Sequence, residues 1–404
     1  MSTTSHRWTA LRTAAVVATA VAGLLINTLP AVTGVLARQL SLEPRVLGAY
    51  ASANYLGFVA GGLLAVAIMR RASPRTMVTL GLALLLGTYL GSASFGWGPA
   101  LVVLGVLGGI GNGFTYSACY YVFSLEDQAR NSAASLLGQT ASSIVVITAI
   151  PAVAHTFGWR AMFLGLGLLV IPCFLLAPFF PNGYKEEEAQ PLTAGPSATR
   201  GILWVGLVSV TLFCLGMLGM WTYLERIGAE MGIAEQTISR GLSICTVFGF
   251  LSSAIVLALG DRVARTIPLV ICVILNIIGT VAVGSSNAWV YTIALSVFYF
   301  SLPIFLSAQF AAIMHRAPSK RFAVKFQVAT NVGSLGPAIA GLVAEQYGFA
   351  AVRWCAITLT LVSATLLWFG FFRTSSLALG TYLRTRSSAG TAGHDPVRVD
   401  GNGP

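Results

Sequence analysis

Twelve apolar runs of about twenty residues or more follow one another along the chain, at 12–36, 46–69, 75–95, 98–124, 131–155, 160–180, 201–225, 237–259, 266–285, 288–314, 323–345 and 350–372. Each is long enough to cross a hydrocarbon layer of about 30 Å as an α-helix. Inside such a layer peptide groups find no water, so only helices and closed barrels can span it, and the alternation of barrel strands is missing here. The expected fold is therefore all-α and polytopic, with twelve transmembrane helices. Composition bears on this point alone: 56% of the 404 residues are hydrophobic and 9% are charged, against about a quarter charged in an ordinary soluble domain. A soluble surface cannot be built from so few charges.

Orientation follows from lysine and arginine, which collect in cytoplasmic loops. With both termini in the cytoplasm, eighteen of the 24 basic residues fall inside and six outside, the six being Arg38, Arg45, Arg160, Arg226, Arg240 and Arg353. The expected location is the cytoplasmic (inner) membrane. The net charge of +11 is spread over short turns and a tail, with no aromatic-interleaved basic stripe, so the partner it implies is anionic lipid headgroup and not nucleic acid. The stretch TAAVVATAVAGLL near the N-terminus resembles a signal-peptide core, but apolarity continues through Ala37, which makes it the first span. Cys119, Cys173, Cys214, Cys245, Cys272 and Cys355 all fall within spans at no metal-like spacing and read as packing residues.

The hydrophilic segment PNGYKEEEAQPLTAGPSATR separates six spans from six. Expected units are an N-terminal bundle over 1–180, a cytoplasmic linker over 181–200, a C-terminal bundle over 201–374, and a Ser/Gly/Thr-rich tail over 375–404 expected to be disordered. The two halves echo each other. YLGF at 55–58 matches VFGF at 247–250, and TFGWRAMF at 156–163 matches QYGFAAVRW at 346–354, both at an offset of about 190 residues. Two landmarks far apart at nearly one offset imply a tandem repeat of six-helix bundles related by a pseudo-twofold axis along the membrane normal.

Polar residues inside spans cost free energy in lipid, so they face a cavity or a neighbouring helix. Asn112, Tyr116 and Tyr120 share one face of the fourth span, and Gln327 and Asn331 share one face of the eleventh. Asn27, Asn54, Gln139, Trp221 and Gln309 complete the candidates for solute contact. For each amide an interhelical hydrogen bond is the competing role. The glycines of GGIGNG, at 108–113, lie within a span without a preceding strand, so they read as close helix packing and not as a nucleotide loop. Glu225 and Glu345 are the two acids within spans, both near outer ends. Glu225, one turn after Trp221 and beside Arg226, is the candidate for proton coupling or for recognising charge on a solute; an interfacial Glu–Arg pair is the alternative.

Asp261-Arg262-Val263-Ala264-Arg265, between the eighth and ninth spans, is similar to the D-R-x-G-R signature of the major facilitator superfamily, with Ala264 for glycine. GWRAMF at 158–163 and the glycine ladder Gly105, Gly109, Gly111 and Gly113 resemble that family's sixth-helix entry and fourth helix. The resemblance spans 12–372. It implies a fold that rocks two bundles about a central site, with Asp261, Arg262 and Arg265 forming a cytoplasmic latch that favours the outward-facing state. In the first half Met69 and Arg70 stand opposite Asp261 and Arg262, so the acid of a second latch is missing.

The function expected is secondary active transport of a small organic solute by alternating access, proton-coupled, with export favoured over uptake of an organic acid or other metabolite. A sensor that kept the fold and lost turnover is the reading from another class. There is no Walker sequence, and His6, His155, His315 and His394 are scattered, so no enzymatic centre, cofactor or metal is expected; the protein is expected to act as a monomer. The charge bias generates a direct test. A reporter fused after Gly183 or at the C-terminus should report the cytoplasm, and one inserted within 226–236 the outside; labelling of the reverse pattern refutes the orientation.

Overall fold

Two glycines decide how the longest helical runs are used. The computed structural model describes residues 2–68, 71–124, 128–183, 200–259, 266–316, 329–330 and 332–372, and every regular element among them is helical. In chain order these are α1 (Ser2–Ala22), α2 (Leu24–Asn27), α3 (Leu29–Leu40), α4 (Pro44–Ile68), α5 (Pro74–Ser94), α6 (Gly98–Ser124), α7 (Gln128–Val170), α8 (Arg200–Glu230), α9 (Glu235–Leu259), α10 (Thr266–Ala282), α11 (Ala288–Arg316) and α12 (Gly336–Leu367). A 3₁₀ segment, Ile171–Phe179, continues α7, and another, Gly333–Leu335, leads into α12.

Eight helical runs among the described residues are long and apolar enough to cross a membrane. Two of them, Ala134–Phe179 and Gly333–Gly370, hold 46 and 38 residues, far more than the roughly 20 that one crossing takes. Each is broken by a glycine in a conformation barred to other residues, Gly158 at φ 82° and ψ 169° and Gly348 at φ 77° and ψ 173°. These are the two glycines of the repeated sequence landmark. At the first break Gln39 takes up both stranded backbone groups: its Oε1 accepts from the Trp159 N–H at 2.6 Å and its Nε2 donates to the Ala154 carbonyl at 2.7 Å. Without such partners both groups would be left unpaired in an apolar setting.

Helices in lipid gain little from hydrophobic burial against one another, so close packing through small residues has to hold them. α6 shows this on two faces. Gly105, Gly109 and Gly113 lie against α4, where a side chain at Gly109 would meet the Asn54 carbonyl and one at Gly113 the Phe58 carbonyl. Gly108 and Gly111 lie against Thr88 and Leu84 of α5. Asn112, Tyr116 and Tyr120 each follow one of Gly105, Gly109 and Gly113 by two turns, so they lie close to the same stripe, and Tyr116 packs edge-on against Phe58 of α4 at 5.2 Å. In the second half of the chain α9 packs on α11, α10 on α11 and α8 on α12. Gly249, the repeat partner of Gly57, lies against the Tyr299 ring, whereas Gly57 lies against the α6 backbone.

The halves meet through α3 on α8, α4 on α12 and α7 on α9. The hydrogen bonds and ion pairs that cross between them lie, among the described residues, at the end of the molecule where α3 leads into α4 and α8 into α9.

The glycine breaks predict a contrast in stability. Gly158→Ala and Gly348→Ala should each destabilise by about 1–3 kcal/mol, through backbone strain alone, since nothing lies within 4 Å of an added methyl at either site. Gly87→Ala, equally open but inside α5, should be neutral or stabilising by up to ~1 kcal/mol. Thermal unfolding of the purified variants checks this, and equal stability of all three overturns it.

Candidate functional site

Between the halves lies a cavity of about 140 Å³. The first half contributes Asn27 at the end of α2, and Leu136, Gln139, Thr140 and Ser143 along one stripe of α7. Thr246, Phe250 and Ser253 of α9, with Tyr299 and Pro303 of α11, form the opposite wall. Asn27 is there because α2 is a single turn, bounded by Gly23 and Thr28. The two breaks interrupt what would otherwise be one helix from Ser2 to Leu40. Gly23 is also required sterically, because a side chain there would strike the Tyr116 hydroxyl.

Of the ten residues read from sequence as solute contacts, the structure brings three together here. Asn27 and Gln139 line the cavity, and Tyr116 donates its hydroxyl to Gln139 Oε1 at 2.6 Å. Gln139 Nε2 in turn donates to Ser135 Oγ at 3.1 Å. Tyr120 stacks on Tyr116 at a centroid distance of 6.0 Å and is 43% exposed. Asn112 lies one turn before Tyr116 on the same face, buried, with its Oδ1 unpaired. Trp221 packs on Tyr299 at 4.6 Å, so it stands behind a residue of the wall.

Two candidates lie elsewhere. Asn54 is fully buried, donates to the Tyr50 carbonyl one turn back at 2.9 Å, and packs against Gly105. Gln309 is also buried and donates to Ser209 and Ser363, each at 3.0 Å, tying α11 to α8 and α12. Gln309 is an interhelical hydrogen-bonding group, whereas Asn54 bonds back to its own helix and only packs against α6. Gln327, Asn331, Asp261, Arg262 and Arg265 fall outside the described residues.

The contact between the halves beside the cavity rests on residues whose pairing is not visible along the chain. Glu225, 4% exposed at its side chain, forms an ion pair with Arg38 of α3, whose other nitrogen reaches Glu235 of α9 at 2.6 Å. The partner of Glu225 is thus Arg38 of the other half and not its chain neighbour Arg226, whose Nε is buried without a partner. Gly34 makes the approach possible, because any side chain there would occupy the place of the Glu225 carboxylate. Beside this pair, Tyr223 donates its hydroxyl to the Pro44 carbonyl at 2.5 Å, and Ser52 Oγ accepts from the Ala338 N–H at 2.9 Å, capping α12 from across the boundary. Thr33 donates to the Thr222 carbonyl at 3.0 Å, and Ser239 to the Ile147 carbonyl at 3.0 Å. Arg45 lies 3.6 Å from Glu345, the second acid found within the spans. Gly48 and Gly341 let α4 and α12 touch backbone to backbone.

A chain that joins two helical halves by a closed seam, with a polar cavity below it, matches a known architecture. The sequence profile of the Major Facilitator Superfamily matches residues 15–324. Among solved structures the chain is similar to the xylose transporter XylE from E. coli in a partially occluded inward-open conformation, at 13% identity, 89% of this chain, 98% of that one and a TM-score of 0.71. It is also similar to the nucleoside transporter NupG, at 13% identity, 89% and 98% coverage and a TM-score of 0.70. A third similar structure is a D-xylose-proton symporter, at 14% identity, 89% and 96% coverage and a TM-score of 0.68. Among curated proteins no sequence relative matches.

The tight seam predicts that bulk at Gly341 forces the halves apart. A side chain there would meet the Pro44 carbonyl and the Tyr223 hydroxyl, each at 2.6 Å. Gly341→Leu should therefore lengthen the distance between spin labels at Trp97 and Asn287, exposed residues of the two halves at this end, while leaving the protein folded. An unchanged distance distribution refutes the assignment of Gly341 to the seam.

Proposed function

The chain belongs to the Major Facilitator Superfamily and is a multi-pass membrane transporter, and from that premise we propose that it carries a small organic solute through the cavity between its halves by alternating access. One observation carries this reading. The cavity is lined from both halves, while the bonds that join the halves among the described residues gather on one side of it, which fits a carrier closed at that face.

The proposed topology counts the two glycine-broken runs as two crossings each and adds the shorter apolar helices at Thr9–Ala22 and Leu269–Ala282 to the eight long runs, giving twelve. In this reading 1–180 and 201–374 are six-helix bundles joined by the linker 181–200, and both termini are cytoplasmic. The membrane is the cytoplasmic one. The closed face then looks outward and the described conformation is inward-facing. The latch read from the sequence at Asp261, Arg262 and Arg265, which lie outside the described residues, would act in the other state of the cycle.

Glu225 is the proposed coupling group. Its carboxylate is buried and faces Arg38, with Arg226 beside it in the chain, Glu235 sharing Arg38, and the Tyr291 hydroxyl committed to the adjacent Leu224 carbonyl at 2.7 Å. A proton on Glu225 cancels one of the two charges that hold Arg38 across the seam and leaves only the exposed Glu235 of the same half to hold it. Protonation thus weakens the closed seam, and deprotonation strengthens it. A buried ion pair is a suitable switch because it is strong when intact and removal of one charge leaves the other costly to keep buried.

The test begins by finding a solute through thermal stabilisation of the purified protein, since a ligand that binds the folded state raises its melting temperature. With that solute in proteoliposomes, Glu225→Gln should retain solute exchange and lose accumulation driven by a pH gradient. Unchanged accumulation removes Glu225 from coupling, and a solute that binds without ever crossing overturns transport itself.

A further inference from the structure

We infer that the solute of the central cavity is an uncharged molecule bearing several O–H or N–H donors, because the wall offers it hydrogen-bond acceptors and no formal charge. The inference rests on the transport reading above and gives its solute a chemical class.

Three of the five hydroxyls of the wall are already committed as donors, whereas those of Thr140 and Tyr299 donate to no group among the described residues. Ser143 Oγ donates to the Gln139 carbonyl at 2.6 Å, Thr246 Oγ1 to the Leu242 carbonyl at 2.8 Å, and Ser253 Oγ to the Gly249 carbonyl at 3.0 Å. A hydroxyl has one proton and two lone pairs. Once the proton is spent on the helix backbone, what remains toward the cavity is acceptor capacity. These three groups come from both halves, so a solute that donates to all of them bridges the halves.

The amides are arranged differently. Gln139 has its carbonyl oxygen occupied by Tyr116 and one of its two amide hydrogens given to Ser135, leaving a single N–H. Asn27 is uncommitted among the described residues and supplies one donor and one acceptor group. With the Thr140 and Tyr299 hydroxyls free to donate or accept, the wall still offers more acceptor groups than donors. Tyr299 and Phe250 add a flat apolar side, suited to the C–H face of a small ring or chain.

No lysine, arginine, histidine or acid is among the described residues of the wall. The nearest acid that the mechanism uses, Glu225, is engaged by Arg38 at the seam. An anion would enter a shell of acceptor lone pairs with no cation to meet it, and a cation would find no carboxylate. Either would lose its hydration with no opposite charge to offset the loss, the lone pairs and rings of the wall compensating a cation only in part. A neutral donor-rich solute exchanges its water hydrogen bonds for equivalent ones in the wall, and a site built of such bonds rejects analogues that lack the donors, whose absence leaves wall groups unpaired.

The experiment uses the full-length purified protein, with binding read by thermal stabilisation and equilibrium dialysis and carriage read in proteoliposomes. The probes are erythritol, ribitol and myo-inositol; the fully O-methylated ether of each; the anion erythronate; and the cation choline. Binding by at least one polyol, weakened roughly tenfold or more on O-methylation and exceeding that of erythronate and choline, is the expected result. Ser143→Ala and Thr246→Val should each weaken polyol binding roughly five- to tenfold, and Thr246→Ser should restore it, which a merely structural role for the threonine methyl would not allow. Preference for erythronate or choline, undiminished binding of the ethers, or no binding by any polyol overturns the class. The transport reading fails separately, and does so if a bound probe of any class is never carried across the membrane.

Discussion

Without a hydrophobic force between helices in lipid, contact depends on how near two backbones can come, and that distance is set by the smallest side chains. Much of this structure follows from that constraint. The α4–α6 interface is backbone against backbone at Gly57, Gly61, Gly109 and Gly113. The same device is used for a different purpose at the seam between the halves, where Gly34, Gly48 and Gly341 admit the Glu225 carboxylate, the Pro337 carbonyl and the Pro44 carbonyl. Within a half the close approach makes a rigid body. Across the halves it makes a contact that a shift of a few ångströms would remove.

Glycine positions were also the most legible part of the sequence. The landmark shared by 156–163 and 346–354 corresponds to a matched backbone break, because only glycine adopts the conformation of Gly158 and Gly348. The GGIGNG stretch does pack helices. Apolar length gave the all-helical class; among the described residues eight runs are long enough to cross a membrane, two of them broken at Gly158 and Gly348, and two further apolar helices are shorter.

The site was legible only in part, for a physical reason. Helical periodicity says which residues share a face and not which neighbour that face meets. Asn112, Tyr116 and Tyr120 do share a face, and Tyr116 reaches Gln139. Asn54 and Gln309 carry the same amide chemistry, yet Asn54 bonds back to the Tyr50 carbonyl of its own helix and Gln309 bonds to serines of α8 and α12. The hydroxyls of Ser143, Thr246 and Ser253 left no signal, since serine and threonine within a span ordinarily bond back to their own helix. Their importance comes from what lies opposite. Arg38 was legible as an outer positive charge and no more, because its partner is nearly two hundred residues away in the chain.

That pairing ties the seam to the cavity through a single stretch of chain. α2 presents Asn27 to the cavity, and α3, which follows after the break at Thr28, presents Thr33, Gly34 and Arg38 to the seam. Thr28 is held by its hydroxyl on the Leu24 carbonyl at 2.7 Å, so the break is a bonded corner and not a loose joint. Beyond that corner, Leu29 to Arg38 is about 14 Å of helical rise, a span across which a helix acts as a rod. In the proposed cycle, a solute that pulls on Asn27 therefore also moves the arginine that holds Glu225. The reverse holds by linkage, since whatever alters the Arg38–Glu225 pair must alter affinity at Asn27 by the same free energy. Solute binding and proton binding are then coupled without any contact between the two sites, through one broken helix whose two ends face different partners.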